Sequence, residues 1–479
     1  MQNRKMYING EWVDALSGAT LTTLNPSNGE PVGTVPDAKP EDVDRAVTAA
    51  GAAFPVWSGM AQAERNKVLF RIAALIRENA DEMAKLEGLE HGTPYADAFG
   101  VCMGAAEKFE WSANAALRIT GDEIPVPNPD TLTFLKREPV GVIGFIIPWN
   151  LPTIMTAVKL APALALGNTC VLKPPSVNSL IGLKFAEVIS KAEGLPAGTV
   201  NFITGSGSVA GNALASHPDV DLIGFTGSSE TGKSILSAAA STVKKCVMEL
   251  GGNNPVIVFP DADVDAALKV LAWRQFNNSG QHCSGPGRYY VHEAVYDEFV
   301  SKFAAYADGL RVGNPSDKSV QMGPLVSREH QRKVAGYING AIEDGAKLVT
   351  GGTASERGFF VAPTVLADCR SDSAAVQEEI FGPVAVIVKW SAPQSVDDIV
   401  KLANDSRYGL CAHVWTRNVA QGMKLIGKLH VGAVFINCQM LTNEQPWGTS
   451  IKESGIGKEG GIFGMLEFTD QKLVCVNYA

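Results

Sequence analysis

Cys283 stands in the run Gly280-Gln281-His282-Cys283-Ser284, after a stretch of helical spacing at 264–276 and before an apolar run at Tyr289. A thiol becomes a nucleophile where a turn exposes it and free backbone N–H groups favour the thiolate. Most cysteines are instead buried and inert, so the thiol alone settles nothing and its turn is what singles it out. His282 suggests a cysteine–histidine pair, but neighbouring side chains in an extended turn point apart.

A second constellation is Gly227-Ser228-Ser229-Glu230-Thr231-Gly232-Lys233-Ser234, which fits GxxxxGK[ST] in full. It follows the apolar run Leu222–Phe225 and opens a helical stretch, the context that a nucleoside-triphosphate loop requires. Val256-Ile257-Val258-Phe259-Pro260-Asp261 could supply the acid for a magnesium ion, although a proline before that acid sits badly at a metal-binding strand end. Backbone N–H groups at a glycine-rich helix start hold any phosphate, a dinucleotide's pyrophosphate included. The pattern therefore reports a phosphate more securely than it reports ATP, and a nucleotide hydrolase stays open at this point.

Further short motifs are spaced along the chain. Pro148-Trp149-Asn150 ends one apolar run and Lys173-Pro174 the next. Phe225-Thr226-Gly227-Ser228 with Gly232 follows, then Glu249-Leu250-Gly251-Gly252, then Gly280-Gln281 before Cys283 with Arg288 beyond, then Glu379-Ile380-Phe381-Gly382-Pro383. In these motifs, and in their order, nearly the whole chain resembles the aldehyde dehydrogenase superfamily. The resemblance implies oxidation of an aldehyde to its acid through a thiohemiacetal and thioester on Cys283, with hydride passing to NAD or NADP. It makes Glu249 the base for the hydrolytic water. It makes the Asn150 amide and the Cys283 N–H the oxyanion donors, a role typically worth about 3 kcal/mol per donor. It places Lys173 at the adenosine ribose, Gly227, Ser228 and Gly232 at the pyrophosphate, and Glu379 at the nicotinamide ribose with Phe381 packed nearby. Trp149, Ser176 and Leu250 complete the cofactor set, and no metal is implied. The usual GxGxxG fingerprint is absent, and this family binds its dinucleotide without it. Read without the resemblance, Asn150 is as easily a helix N-cap and Glu249 a solvated strand-end carboxylate. A coenzyme A-acylating relative is the nearer alternative; a water-activating Glu249 argues against it.

The chain departs from the family pattern in three places. Many NAD-preferring members carry a glutamate where this chain has Ser176; a serine hydroxyl can donate to a 2′-phosphate beside Lys173, so NADP is admissible. The late run Pro446-Trp447-Gly448-Thr449-Ser450-Ile451-Lys452-Glu453-Ser454-Gly455 is one residue longer than usual. Leu151 and Asn277 stand where some relatives place aromatic rings. No aromatic cage for a quaternary ammonium is evident, and no arginine pair commits the site to a carboxylate-bearing aldehyde.

The elements that must position these residues show in the periodicity. Residues 41–118 read as helices, with Val43, Val47, Val68, Leu69, Ile72, Leu75 and Ile76 at helical spacing. From 131 the pattern turns to short β-branched runs, Val140–Ile147, Cys170–Leu172, Val200–Ile203 and Leu222–Phe225, separated by helical stretches at 151–166, 179–193 and 208–216. A second series follows Gly251-Gly252, with strands Val256–Phe259, Tyr289–His292, Ala385–Lys389 and Val434–Asn437 and helices at 294–308 and 327–344. The alternation predicts an α/β fold of two lobes with mainly parallel sheets, a Rossmann-like cofactor lobe and a catalytic one. We expect a dinucleotide-binding domain over 1–119 and 140–250, a catalytic domain over 251–445, and a small β association arm over 120–139 and 462–479, which suits a homodimer or homotetramer.

Composition bounds the rest. The 479 residues are 46% hydrophobic and 19% charged, enough for large cores and too little charge for disorder. A formal charge of −9 argues against nucleic acid or an anionic membrane as partner. The eight cysteines form no CxxC, and the polar start Met1–Trp12 reads as no export signal, which points to reduced thiols in the cytoplasm. The most apolar stretch, Leu151–Leu172, contains Lys159, two prolines and a Gly167-Asn168 turn, so it reads as buried helix plus strand and not a membrane span.

Overall fold

The computed structural model describes residues 2–391, 394–439 and 442–479; the remaining positions, which include two residues near the end of the expected catalytic domain, lie outside the description. Two large sheets organise the chain. The first has eight strands, and its five central ones are parallel in the order Lys245–Glu249, Leu222–Thr226, Val142–Ile146, Thr169–Lys173, Val200–Phe202. Gly455–Ile456 closes one edge antiparallel, and Met6–Ile8 with Glu11–Val13 closes the other. Val142–Ile146, Thr169–Lys173 and Leu222–Thr226 are buried at every residue, because helices cover both faces of a parallel sheet. Pro152–Ala165, Tyr95–Ala116 and Gln62–Glu78 build the large core on one side, and Pro40–Gly59 with Ser229–Ala239 lies on the other.

The second sheet has seven strands. Six run parallel in the order Thr364–Ala367, Val384–Trp390, Pro286–His292, Asn254–Val258, Cys411–Trp415, Ala433–Ile436, with Lys347–Thr350 antiparallel at the edge. Apart from both sheets, Thr131–Pro139 and Thr469–Asn477 pair antiparallel over nine positions, from Thr131 opposite Asn477 to Pro139 opposite Thr469. A smaller three-stranded sheet holds Gln2–Asn3, Pro31–Pro36 and Thr20–Leu24.

In the first sheet the chain-order neighbours part between Val142–Ile146 and Leu222–Thr226. Strands 142, 169 and 200 run one way from that seam, and 222 and 245 run the other. Ligands bind outside the carboxyl ends of parallel strands at such a reversal, and there the chain leaves the sheet through Pro148-Trp149-Asn150 on one strand and Gly227-Ser228 on the next. The second sheet reverses between Asn254–Val258 and Cys411–Trp415, and its amino-terminal edge carries Gly251-Gly252, Cys283 and Glu379–Gly382 just ahead of their strands.

The two-lobed, mainly parallel α/β fold expected from periodicity is the fold observed, and helix Val264–Phe276 has the expected bounds. The differences are local. The helix expected to 193 ends at Ile189, and of 208–216 only Asn212–Ser216 is α-helical, after a wider turn over Gly207–Gly211. Strands Thr364–Ala367 and Cys411–Trp415 were not expected; the first has four residues, and the second reads Cys-Ala-His-Val-Trp with one β-branched side chain.

Candidate active site

The carboxyl edge of the first sheet and the amino edge of the second enclose a cavity of 430 Å³. From the first come Pro148, Trp149, Asn150, Thr226, Gly227, Ser228 and Leu250; from the second come Gly251, Cys283, Glu379 and Phe381, with Glu329, His330 and Lys333 added by helix Arg328–Glu343. Of the twelve residues singled out from sequence, eight thus line one space. Glu249 is buried beside it, while Lys173, Ser176 and Gly232 lie off its wall.

Cys283 is half-buried, the one thiol lining this cavity. Burial pushes it up to about 12, the Glu379 and Glu249 carboxylates raise it further, and Arg274 with the Ser284 N–H oppose them. Its neighbour His282 points elsewhere, with Nε2 3.0 Å from Asn277 Oδ1; burial and then Arg274 and His91 keep it neutral. A cysteine–histidine pair is therefore not formed. Gly280, at φ +72°, makes the turn: a Cβ there would strike the Gly382 carbonyl.

Asn150 is buried, and its Nδ2 donates to the Gln281 carbonyl at 2.8 Å, two residues before the thiol. Asn278 Nδ2 in turn donates to the Asn150 carbonyl at 2.8 Å. These bonds tie the end of one lobe's strand to the nucleophile turn of the other. Asn150 is not a helix N-cap: helix Pro152–Ala165 is preceded by Leu151.

Glu249 ends its strand 3% exposed, so it is not a solvated carboxylate. Burial holds its carboxyl well above the usual range and the Glu459 carboxylate adds to this, while Lys159 and the Ser450 hydroxyl work against them. Ser450 Oγ donates to Glu249 Oε1 at 3.0 Å, so the lengthened segment 446–455 wraps the base. Lys159, fully buried in helix Pro152–Ala165, forms an ion pair with Glu459. Nothing in the motifs named Lys159 or Glu459. The signal for Lys159 was one lysine inside an otherwise apolar helical run.

The glycines of the cavity are spaces kept for other groups. A Cβ on Gly251 would come within 2.5 Å of Glu379 Oε2, and the Gly252 N–H donates to Glu379 Oε1 at 2.9 Å. Burial raises Glu379 to about 7, against that N–H, Lys333 and Arg407. A Cβ on Gly232 would come within 2.5 Å of the Leu250 side chain. Phe381 has φ +57° and packs edge-to-face on Trp149 at 5.3 Å, with His330 Nε2 2.7 Å from its carbonyl oxygen.

Ser228 caps helix Ser229–Ala239, its Oγ accepting from the Thr231 N–H at 3.3 Å, and the Gly227 N–H is held by the Glu249 carbonyl at 3.0 Å. The positive end of that helix opens on the cavity, a setting made for phosphate. Lys233, which a triphosphate loop would turn inward, points to the surface and pairs with Glu453 at 3.1 Å. Asp261 belongs to the other sheet and accepts from Thr416 Oγ1 at 2.8 Å and the Asn418 N–H at 2.9 Å. The two halves of a nucleotide-hydrolase site are thus never assembled, and that alternative is overturned. Lys173 ends the strand two over from Leu222–Thr226, buried, its Nζ donating to the Pro174 carbonyl at 3.1 Å; burial lowers it to about 8, against Asp37. Ser176 is half-buried three residues on.

A dinucleotide fits these residues. One end of the space has a buried carboxylate and an aromatic ring beside the thiol, the helix start lies between, and a lysine and a hydroxyl follow along the sheet edge.

Comparison with known proteins agrees. A sequence model described as "Aldehyde dehydrogenase family" matches residues 12–474. The chain is 41% identical over 479 residues to the mitochondrial aldehyde dehydrogenase of Rattus norvegicus, covering 98% of this chain and 91% of that one. Among solved structures, the NAD+ complex of an aldehyde dehydrogenase from Bacillus cereus superposes with a TM-score of 0.96 at 39% identity, covering 100% of this chain and 97% of that one. An NADP-dependent enzyme of E. coli superposes with a TM-score of 0.96 at 38% identity, over 99% and 98% of the two chains.

Proposed function

The chain belongs to the aldehyde dehydrogenase family, and from that premise we propose the residue roles by which it works. It oxidises an aldehyde to the carboxylic acid with NAD or NADP as hydride acceptor: aldehyde, water and oxidised cofactor give acid, reduced cofactor and a proton. The observation that carries the role assignment is that Cys283 shares one cavity with Asn150, Gly227-Ser228 and Glu379.

Cys283 Sγ, as thiolate, attacks the carbonyl carbon, and the oxygen takes up the negative charge. The second N–H of the Asn150 amide and the Cys283 N–H hold that charge. Such donors act through preorganisation, since they are fixed before the charge appears. When bound, the nicotinamide supplies the hydride acceptor; loss of hydride leaves a thioester on Cys283. Glu249 takes a proton from water, the hydroxide adds to the thioester, and the acid leaves as the thiolate returns. A carboxyl raised towards neutrality is a stronger base than an ordinary glutamate, which suits this step. Glu379 accepts from the nicotinamide ribose with Phe381 and Trp149 beside it. Gly227, Ser228 and Gly232, with Leu250 filling the space Gly232 leaves, hold the pyrophosphate, and Lys173 and Ser176 hold the adenosine ribose. With serine at 176 the pocket admits a 2′-phosphate, so we assign it to both cofactors.

Domain limits follow the two sheets: 1–119 with 140–250 for the cofactor, 251–445 for the nucleophile. The paired strands at 120–139 and 462–479 form an association arm for a homodimer or homotetramer; exposed Leu132, Leu473, Val476 and Tyr478 support this, being apolar and uncovered. No helix among the described residues is long and apolar enough to cross a membrane. The eight free thiols support a cytoplasmic place.

The test is an assay of short aliphatic, aromatic and carboxylated aldehydes with NAD and NADP, with and without coenzyme A. Reduced nicotinamide is expected without coenzyme A and is lost in Cys283→Ala. Turnover that requires coenzyme A, or that survives in Cys283→Ala, overturns the assignment.

A further inference from the structure

Helix Val264–Phe276 ends beside the nucleophile turn, and its Arg274 guanidinium reaches the residue after the thiol: Nη2 donates to Ser284 Oγ at 2.8 Å. Among the described residues Arg274 forms no salt bridge, whereas buried Lys159 pairs with Glu459 and buried Lys184 with Glu82 and Glu187. Its Nε is buried with no hydrogen-bond partner. Burial pulls it down, and the Cys283 and Cys411 thiols work against this.

The surroundings add no negative charge. Ser284's carbonyl accepts from Gln439 Nε2 at 3.0 Å and lies 3.7 Å from Cys411 Sγ. His413, stacked on Phe435 at 5.3 Å, is held neutral by burial and by Arg274 itself. The buried Nε without a partner and the missing counter-ion leave room for a bound anion to complete this guanidinium.

Its position says which ligand. The cavity on one side of Cys283 is taken by the cofactor-binding residues, and Arg274 is not among them. A carbonyl held at Cys283 with the hydride acceptor on that side would extend its remaining atoms away from that cavity, and Arg274 reaches Ser284, the residue next to the thiol, from outside it. We propose that Arg274 is a specificity-determining residue that pairs with a carboxylate on the far end of a short aldehyde, so that the preferred substrates are carboxylated aldehydes. This rests on Cys283 being the nucleophile. A planar fork of N–H donors matches a carboxylate in two-point contact, which a lysine does not reproduce.

The experiment compares 4-oxobutanoate with butanal, equal in chain length, in wild type, Arg274→Met and Arg274→Lys. Wild type is expected to favour the anion in kcat/KM by roughly 30-fold, the worth of a charge-assisted pair. Arg274→Met loses that ratio, chiefly through KM, and Arg274→Lys keeps part of it. A second readout needs no turnover: the rate of Cys283 alkylation by iodoacetate divided by that by iodoacetamide, followed by mass spectrometry. The quotient cancels any change in thiolate fraction and is expected to fall about tenfold in Arg274→Met. Equal use of both aldehydes by wild type, or an unchanged quotient in Arg274→Met, overturns the role of Arg274 alone. No cofactor reduction with any aldehyde overturns the reading of Cys283 as well.

Discussion

Two charged side chains lie near Cys283, Glu249 buried and Arg274 half-buried, and the chain treats them in opposite ways. On one side Glu249 sits among Ser450, Lys159 and Glu459, so that the carboxylate has a hydroxyl donor and a nearby ammonium before any ligand arrives. On the other side Arg274 has one hydroxyl acceptor and no carboxylate. Both arrangements cost desolvation. The first is closed, and a closed set of charges can hold and release a proton at a position fixed in advance. The second is open, and an open charge is completed by what binds. The difference separates the part of the site that serves every aldehyde from the part that chooses among them.

The sharpest way to break this comparison is to remove the charge at the centre of the closed set. Glu249→Gln keeps shape and loses the base; turnover is expected to fall roughly 10³-fold, within the usual range for a general base. Stopped-flow should still show one equivalent of reduced nicotinamide, because the hydride leaves before water is needed. If the burst disappears with turnover, Glu249 also serves the thiol. If turnover is intact, the closed set is structural only.

Asn150→Ala comes next, with an expected loss of about 10²-fold in kcat/KM for one oxyanion donor. This variant slows acylation for charged and neutral aldehydes alike, unlike Arg274→Met, which discriminates between them. A loss confined to carboxylated aldehydes would place Asn150 on the choosing side and redraw the boundary.

The ammonium and the second carboxylate of the closed set should act with opposite sign. Glu249 is the base only when ionised, so activity rises with pH through its titration. Lys159 holds that titration down and Glu459 pushes it up. Lys159→Met is therefore expected to move the acid limb of kcat to higher pH, costing about tenfold at neutrality and recovering in alkali. Glu459→Gln is expected to move the limb to lower pH. Limbs that move together, or that stay fixed, would show that the three groups do not share a field.

How far this was legible from sequence follows the same division. Cys283, Glu249 and Asn150 could be named because the short motifs around them resemble those of one family; the residues alone read as easily as an inert thiol, a solvated carboxylate and a helix cap. Most inner strands of both sheets were legible from buried β-branched runs, except where a strand was as short as Thr364–Ala367 or as mixed as Cys411–Trp415, and the edge strands Met6–Ile8, Glu11–Val13, Gly455–Ile456 and Lys347–Thr350 were not. Glu459 carried no signal, being an acid among glycines whose partner is 300 positions away. Arg274 falls between an exposed Trp273 and a buried Gln275 on a helix of weak amphipathicity, and reads as solvent face. The sequence offers no arginine pair as a motif, and a single arginine without a counter-ion is visible only once the fold shows what surrounds it.

The smallest effect is expected at the residue that the sequence made most conspicuous. Lys233 completes the triphosphate-loop pattern, yet it lies at the surface between Glu453 and Glu230 with half its side chain exposed. An exposed pair of this kind contributes about 0–1 kcal/mol. Lys233→Met should therefore leave the KM for NAD or NADP within about twofold, because phosphate is held by the N–H groups of the helix start and not by this side chain. A rise of about 100-fold would mean that the lysine swings inward to a phosphate oxygen when cofactor binds. The cofactor side would then also contain an open charge, and being completed by a ligand would no longer be what sets the substrate side apart.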